Sequence, residues 1–227
     1  MIPLKDYTPS ASRPIVTLAL IGACGSAYLW QFLSDAVMSR QALIALGAIP
    51  AVLTGNATLP PDLQWVPRSA SIFTSMFLHI GWAHLLGNML FLWIYGPNVE
   101  DAMGHGRFLG FYLLCGVVAV FAQSLPDAHS PYPIVGASGA ISGVLGAYLM
   151  LFPRANILTL VVLPFFFTTL RVSAMLLLPL WFAIQLLSDF AVHGGEGVAI
   201  RAHIGGFMAG TLLVIAFKRR KVTLFAR

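Results

Sequence analysis

Residues Phe108–Leu125 read FLGFYLLCGVVAVFAQSL, 18 residues without a charge. A helix needs about 20 mostly apolar residues to cross a hydrocarbon core ~30 Å thick, so this run reads as a membrane span. Working outward, five more apolar runs have the same character: Ile15–Leu33, Ile80–Val99, Ser138–Phe152, Val172–Phe190 and Val198–Phe217. Composition agrees with them. Hydrophobic residues make up 58% of the 227 residues and charged residues 9%, where a soluble domain is about a quarter charged. So few charges cannot clothe a soluble surface of this size. The sequence therefore predicts an all-α membrane protein, a single domain over residues 1–227 with six transmembrane helices and a long first loop, residues 34–79.

Two apolar stretches fall outside the six spans. Ala42–Leu53 is short and ends near Pro50, which suits an interfacial piece of the first loop. Ile157–Leu170 has 14 residues and contains Pro164, so it is expected to lie at the membrane surface before the fifth helix. Cys24 and Cys115 sit inside apolar runs and are expected to be small buried hydrophobes, not a disulfide pair.

Orientation follows from the positive-inside rule. Ten of the 13 Lys and Arg residues fall on one side of a six-span arrangement: Lys5, Arg13, Arg107, Arg154, Arg171, Lys218, Arg219, Arg220, Lys221 and Arg227. Both termini are then expected in the cytoplasm, with the protein multi-pass in a plasma or bacterial inner membrane. The net charge of +5 comes from scattered residues apart from the run Lys218–Lys221, which is a membrane anchor pattern and no footprint for nucleic acid. The expected partner surface is the lipid bilayer.

Polar groups inside spans are costly and tend to be functional. Here they are His84 and Asn88 in the second span, Ser138 and Ser142 in the fourth, and His203 in the sixth. His84 and His203 each lie about five residues past a helix start, roughly 7–8 Å deep. The fourth run is short, so its preceding loop must dip inward to meet Ser138. That places Ser138 at a helix N-terminus on the floor of a wet pocket, where free N–H groups favour an anion. Each residue also has a plainer reading. A lone His can bond a neighbouring carbonyl. Gly139 with Gly143, and Gly206 with Gly210, are Gly-xxx-Gly packing pairs.

Four motifs in order resemble the rhomboid family of intramembrane proteases. Gly136-Ala137-Ser138-Gly139 matches its nucleophile motif, and Ala202-His203-Ile204-Gly205-Gly206 with Gly210 matches its sixth-helix pattern. His84-Leu85-Leu86-Gly87-Asn88 matches its His-x-x-x-Asn, and Gly96, Glu100 and Gly104 match its Gly-x-x-x-Glu-x-x-x-Gly. The resemblance covers about residues 75–215, and it implies a six-helix rhomboid bundle with its core over about residues 75–217. It implies a Ser138–His203 dyad, with His84, Asn88 and the Ser138 N–H as oxyanion-hole donors. It also implies transmembrane-protein substrates and neither cofactor nor metal. Glu100 and Arg107 are expected to tie the cytoplasmic loop.

One departure matters. Several family members carry Tyr four residues after the nucleophile, packed on the catalytic His; this chain has Ser142 there, so His203 is expected to be held differently, another ring being one way. Trp181, Phe182 and Gln185 on the fifth helix form a candidate lateral gate for substrate, beside the plainer reading of lipid-facing aromatics. Asp189 and Glu196 are the acids nearest His203 in sequence, and the resemblance implies that neither completes a triad. The competing functions are a non-catalytic relative that binds membrane clients, a haem carrier using His84 and His203, and a transporter.

Overall fold

A computed structural model of the chain describes residues 1–163, 166–191 and 199–225. The elements in order are β1 (Ile2–Asp6), α1 (Ile15–Leu33), α2 (Ala36–Leu46), α3 (Pro50–Leu53), α4 (Ser71–Thr74), α5 (Trp82–Met103) and α6 (His105–Ser124), then α7 (Ser138–Leu151), β2 (Asn156–Leu163), β3 (Phe166–Ser173), α8 (Ala174–Ala191) and α9 (Ile200–Phe217). Among the described residues, three helical stretches are long and apolar enough to cross a membrane: Ile15–Leu33, His105–Asp127 and Ile200–Phe217. Residues Ser71–Phe77 and Trp82–Met103 pass the same test together but are bent by 94°. The remaining apolar helices of the bundle, α7 and the described apolar part of α8, are shorter.

Helix α7 is the centre of the bundle. Its 14 residues are buried on nearly every side, and it packs against α5, α6, α8 and α9. At 1.5 Å per residue it rises only about 21 Å, so it starts and ends inside the protein. The outside is apolar: Leu18, Leu29, Phe32, Leu86, Trp93, Leu114, Phe121, Leu176, Leu212 and Ile215 are all exposed. A soluble monomer rarely shows such a continuous apolar surface. Cys24 and Cys115 are free and buried.

The long first loop is replaced by short helices. α2 is capped by Asp35, whose carboxylate accepts from the Val37 and Met38 N–H groups, and Pro50 opens α3 at the position where proline costs least. The second span starts at Trp82 instead of Ile80, because Gly81 is fully extended at the bend.

The all-α expectation needs correcting at one end. Ile157–Leu170 forms most of a hairpin, β2 antiparallel to β3, and β1 adds to its other side in the order β1-β2-β3. Ile157, Thr159, Val161, Val162, Thr168, Thr169 and Val172 are β-branched and fit a pleated surface better than a helix. Ile157 and Thr159, two apart and so on one face, are fully buried.

Two carboxylates join the N-terminal segment to the bundle. Asp6 accepts from Asn98 Nδ2 at 2.6 Å, Tyr148 Oη at 2.6 Å and the Thr8 N–H at 2.8 Å. Glu100, fully buried near the end of α5, accepts from the Val16 and Thr17 N–H groups at 2.9 and 2.8 Å and from Thr17 Oγ1 at 2.6 Å. It thereby satisfies first-turn donors of α1, where the helix dipole favours a negative charge. His105 Nδ1 donates to the same carboxylate at 2.6 Å. Arg107 was expected to share this role; it is exposed and makes no hydrogen bond or ion pair among the described residues.

Candidate active site

Three helix N-termini converge in the interior. Ser138 is the first residue of α7, His84 the third of α5 and His203 the fourth of α9. All three residues are partly buried, and a 94° bend precedes α5.

The loop leading to Ser138 is pinned from both sides. Ile134 exchanges backbone hydrogen bonds with Ala48 at 2.8 and 3.1 Å, and the Gly136 N–H donates to the Ser75 carbonyl at 2.9 Å. Gly136 has φ +118°, which only glycine adopts without strain. A Cβ there would also stand 2.7 Å from His84 Cε1, 2.8 Å from His84 Nε2 and 3.8 Å from Ser138 Oγ. The His84 ring therefore lies directly over Gly136, beside the serine. Asn88, one turn on and buried, donates from Nδ2 to the His84 carbonyl at 3.0 Å, leaving a second amide hydrogen for another acceptor.

Helix α9 brings in the histidine. His203 Nε2 is 2.8 Å from Ser138 Oγ. The approach depends on glycine: a Cβ on Gly206 would fall on the Gly139 carbonyl oxygen, and one on Gly210 on the Gly143 carbonyl oxygen. The backbones of α7 and α9 are in contact there, as small residues allow. The Ala202 N–H, in the first turn of α9, donates to Gln123 Oε1 of α6 at 3.2 Å. The aromatic ring near His203 comes from another helix. The Trp181 ring of α8 lies 6.1 Å from the His203 ring, tilted by 37°. Phe182 stacks on Phe207 at 4.6 Å. Ser142 turns inward and donates to the Ser138 carbonyl at 2.7 Å.

A cavity of about 20 Å³, lined in part by Ser75, Ala119, Gly136 and Ser138, opens beside the serine; that is room for about one water. Among the described residues no three His, Cys, Asp or Glu side chains cluster as metal ligands would. His203 Nε2, the atom a haem iron would take, is on Ser138 Oγ. The Gln185 and Asp189 side chains, and residues 192–198 with Glu196, lie outside the described residues.

Reading from sequence alone passed over His79, Gln31 and Gln123. His79 and Gln31 are almost wholly buried, and each interrupts an otherwise apolar run, which was the available signal.

The molecule is an integral membrane helical bundle with a serine and a histidine in hydrogen-bond contact in its interior. Its residues 67–220 match the Rhomboid domain, and the chain belongs to the rhomboid family. It is 35% identical over 191 residues to Rhomboid protease GluP of Bacillus subtilis, which covers 83% of this chain and 32% of that protein. It is 28% identical over 232 residues to Rhomboid protein 1, mitochondrial, of Saccharomyces cerevisiae, covering 90% of this chain and 63% of the relative. RHOMBOID-like protein 1 of Arabidopsis thaliana is 34% identical over 146 residues, 64% of this chain and 34% of the relative. The chain therefore spans less than two thirds of the length of each of these relatives.

Proposed function

We propose that this chain is a serine endopeptidase that cleaves peptide bonds in or beside the transmembrane segments of other membrane proteins. The observation that carries the reading is the 2.8 Å contact between Ser138 Oγ and His203 Nε2 at the partly buried N-terminus of α7. A serine hydroxyl is a weak nucleophile until an adjacent base takes its proton, and imidazole suits that task near neutral pH. Ser138 Oγ attacks the scissile carbonyl carbon while His203 Nε2 takes the hydroxyl proton. His203 returns that proton to the leaving amine, and an acyl-enzyme remains on Ser138. Water, deprotonated by His203, then releases the acid. The developing oxyanion is held by the Ser138 N–H, His84 Nε2 and Asn88 Nδ2, with the α7 dipole aiding.

A substrate helix must unwind locally, since its carbonyls are already bonded within the segment. Small or helix-breaking residues near the cleaved bond are the expected preference. We place its approach between α5 and α8, where a crevice of about 80 Å³ is lined by Phe91, Tyr95, Leu177, Leu178 and Trp181 among others. In this reading the chain is one membrane domain with both termini cytoplasmic, in a plasma or bacterial inner membrane. The direct test is labelling of detergent-solubilised protein with a serine-reactive fluorophosphonate: wild type labels and Ser138→Ala does not. Equal labelling of both removes the reading.

Asn88→Ala is expected to lower kcat with little change in KM, because an oxyanion donor acts mainly in the transition state. Losing one typically costs about 100- to 1000-fold, less where neighbours compensate. Steady-state cleavage of a transmembrane substrate separates the two constants, and an unchanged kcat in both Asn88→Ala and His84→Ala takes α5 out of the chemistry.

Trp181 gives opposite signs to two roles. As a gate alone, its replacement by a smaller residue speeds cleavage. As the ring that holds His203, its loss slows the chemistry, since small misplacements of a catalytic group cost up to about 100-fold. The contact with His203 favours slowing in Trp181→Ala, with Trp181→Phe retaining most activity. Faster cleavage by folded Trp181→Ala would return the residue to the gate.

A further inference from the structure

Two buried imidazole nitrogens beside the candidate site, His84 Nδ1 and His79 Nε2, have no hydrogen-bonding partner among the described residues. Their rings are 5.1 Å apart and inclined by 62°. His79 lies at the bend before α5 and is 1% exposed. Its backbone is clamped by Gln31 of α1: the His79 N–H donates to Gln31 Oε1 at 3.1 Å, and the His79 carbonyl accepts from Gln31 Nε2 at 3.3 Å. The segment is thus held through its main chain, without the ring's Nε2.

The proton positions follow from the partners. His79 Nδ1 is 3.2 Å from the Phe77 carbonyl oxygen. A carbonyl can only accept, so Nδ1 carries the hydrogen, and Nε2 of the neutral ring is a bare acceptor. His84 Nε2 faces Gly136 and Ser138. To donate to an oxyanion there it must carry the hydrogen of the neutral ring, which leaves Nδ1 a bare acceptor as well. Two buried acceptors then lie on rings whose centroids are 5.1 Å apart. One water, donating a hydrogen to each, satisfies both. A direct bond between the rings would do the opposite. With His79 Nε2 as acceptor, His84 Nδ1 would have to carry the hydrogen, and Nε2 could not donate.

We propose that His79 is a positioning residue that, through one buried water, holds His84 in the tautomer with hydrogen on Nε2, the form able to donate to the oxyanion. The inference rests on the reading of His84 as an oxyanion donor. The chain of dependence runs from the Phe77 carbonyl to His79 Nδ1–H, from His79 Nε2 through water to His84 Nδ1, and so to His84 Nε2–H at the reacting carbonyl. Metal-ligating histidines have their tautomers fixed by a partner on the far ring nitrogen in the same way, and the two nitrogens of any histidine are coupled like this.

The test combines cleavage kinetics in detergent with ¹⁵N spectroscopy of the histidine rings in the full chain. His79→Leu is expected to lower kcat by about 10- to 100-fold, up to the loss seen in His84→Ala, with KM nearly unchanged. His79→Gln, whose amide can set an oxygen where Nε2 stood, is expected to recover most of that loss. In the His84→Ala background His79→Leu should add nothing, because it acts only through His84. Independent full losses that multiply in the double variant would overturn the proposal, since that is the pattern of a merely structural residue. The spectrum needs no substitution: His84 in wild type is expected with its hydrogen on Nε2, and a hydrogen on Nδ1 overturns the proposal even if His79→Leu does not fold. Full activity in His84→Ala overturns it from below, by removing the oxyanion reading, while leaving the Ser138 fluorophosphonate result untouched.

Discussion

Ser138→Ala and His203→Ala are each expected to bring cleavage of a transmembrane substrate below detection, and the double variant is expected to be no worse than either one. A nucleophile and its base act as a unit, and removing either from a soluble serine protease costs about 10⁶-fold in kcat, nearly as much as removing both. The loss should be separable from unfolding. Each variant loses the hydrogen bond at 2.8 Å between the two side chains, of a kind worth about 1 kcal/mol net. Both single variants should therefore insert and melt in detergent within a few degrees of wild type. The measurement is product formation from one fixed substrate, with thermal unfolding run on the same samples. Losses that multiply in the double variant would mean that serine and histidine act independently, and full activity in folded Ser138→Ala would end the protease reading.

The parts of this molecule that could be read from sequence are those written locally. An uncharged run such as Phe108–Leu125 announces a buried or lipid-facing helix whatever its neighbours do. The shortness of Ser138–Leu151 announces a helix starting inside the protein, and the glycine pairs on α7 and α9 announce where two backbones can touch. What could not be read depends on partners far along the chain. The strand character of Asn156–Leu163 rests on pairing with β3 and also with β1, where Ile2 meets Leu160 from far along the chain, so the run did not read as a strand. Which ring lies on His203 was hidden for the same reason, because Trp181 reaches it from α8 while position 142 on α7 holds only a serine. Asp6 stands close to the N-terminus with nothing local to mark it, yet it accepts from Asn98 on α5 and Tyr148 on α7. His79 falls at the end of the first loop as read from sequence, residues 34–79, whereas the chain bends by 94° there and the ring lies 5.1 Å from that of His84.

Adding one methyl group where α7 and α9 touch is expected to cost both fold and activity. In Gly206→Ala the new Cβ would land on the Gly139 carbonyl oxygen, and in Gly210→Ala on that of Gly143. These are backbone atoms inside a buried helix, so they cannot swing aside as a side chain would. The helices must part instead, by on the order of 1 Å, because interiors are packed without slack. Overpacking of this kind typically costs about 1–3 kcal/mol, and more where no side chain can adjust. The same separation acts on the site. Gly206 lies three residues after His203 and Gly139 follows Ser138, so parting them stretches the 2.8 Å contact toward the limit of a hydrogen bond. A 1 Å displacement at a catalytic group costs about 100-fold in rate. Gly206→Ala should therefore lose at least that much kcat along with several degrees of thermal stability, and Gly206→Val should fail to fold. The control lies in α1, where a Cβ on Gly22 or Gly25 meets nothing within 4 Å. Alanine is favoured over glycine inside a helix by up to about 1 kcal/mol, so Gly22→Ala and Gly25→Ala should be neutral or slightly stabilising and fully active. Thermal unfolding and cleavage rates on the same four alanine variants decide the matter: if Gly206→Ala behaves like Gly25→Ala, the close approach of α7 and α9 is not what brings Ser138 to His203.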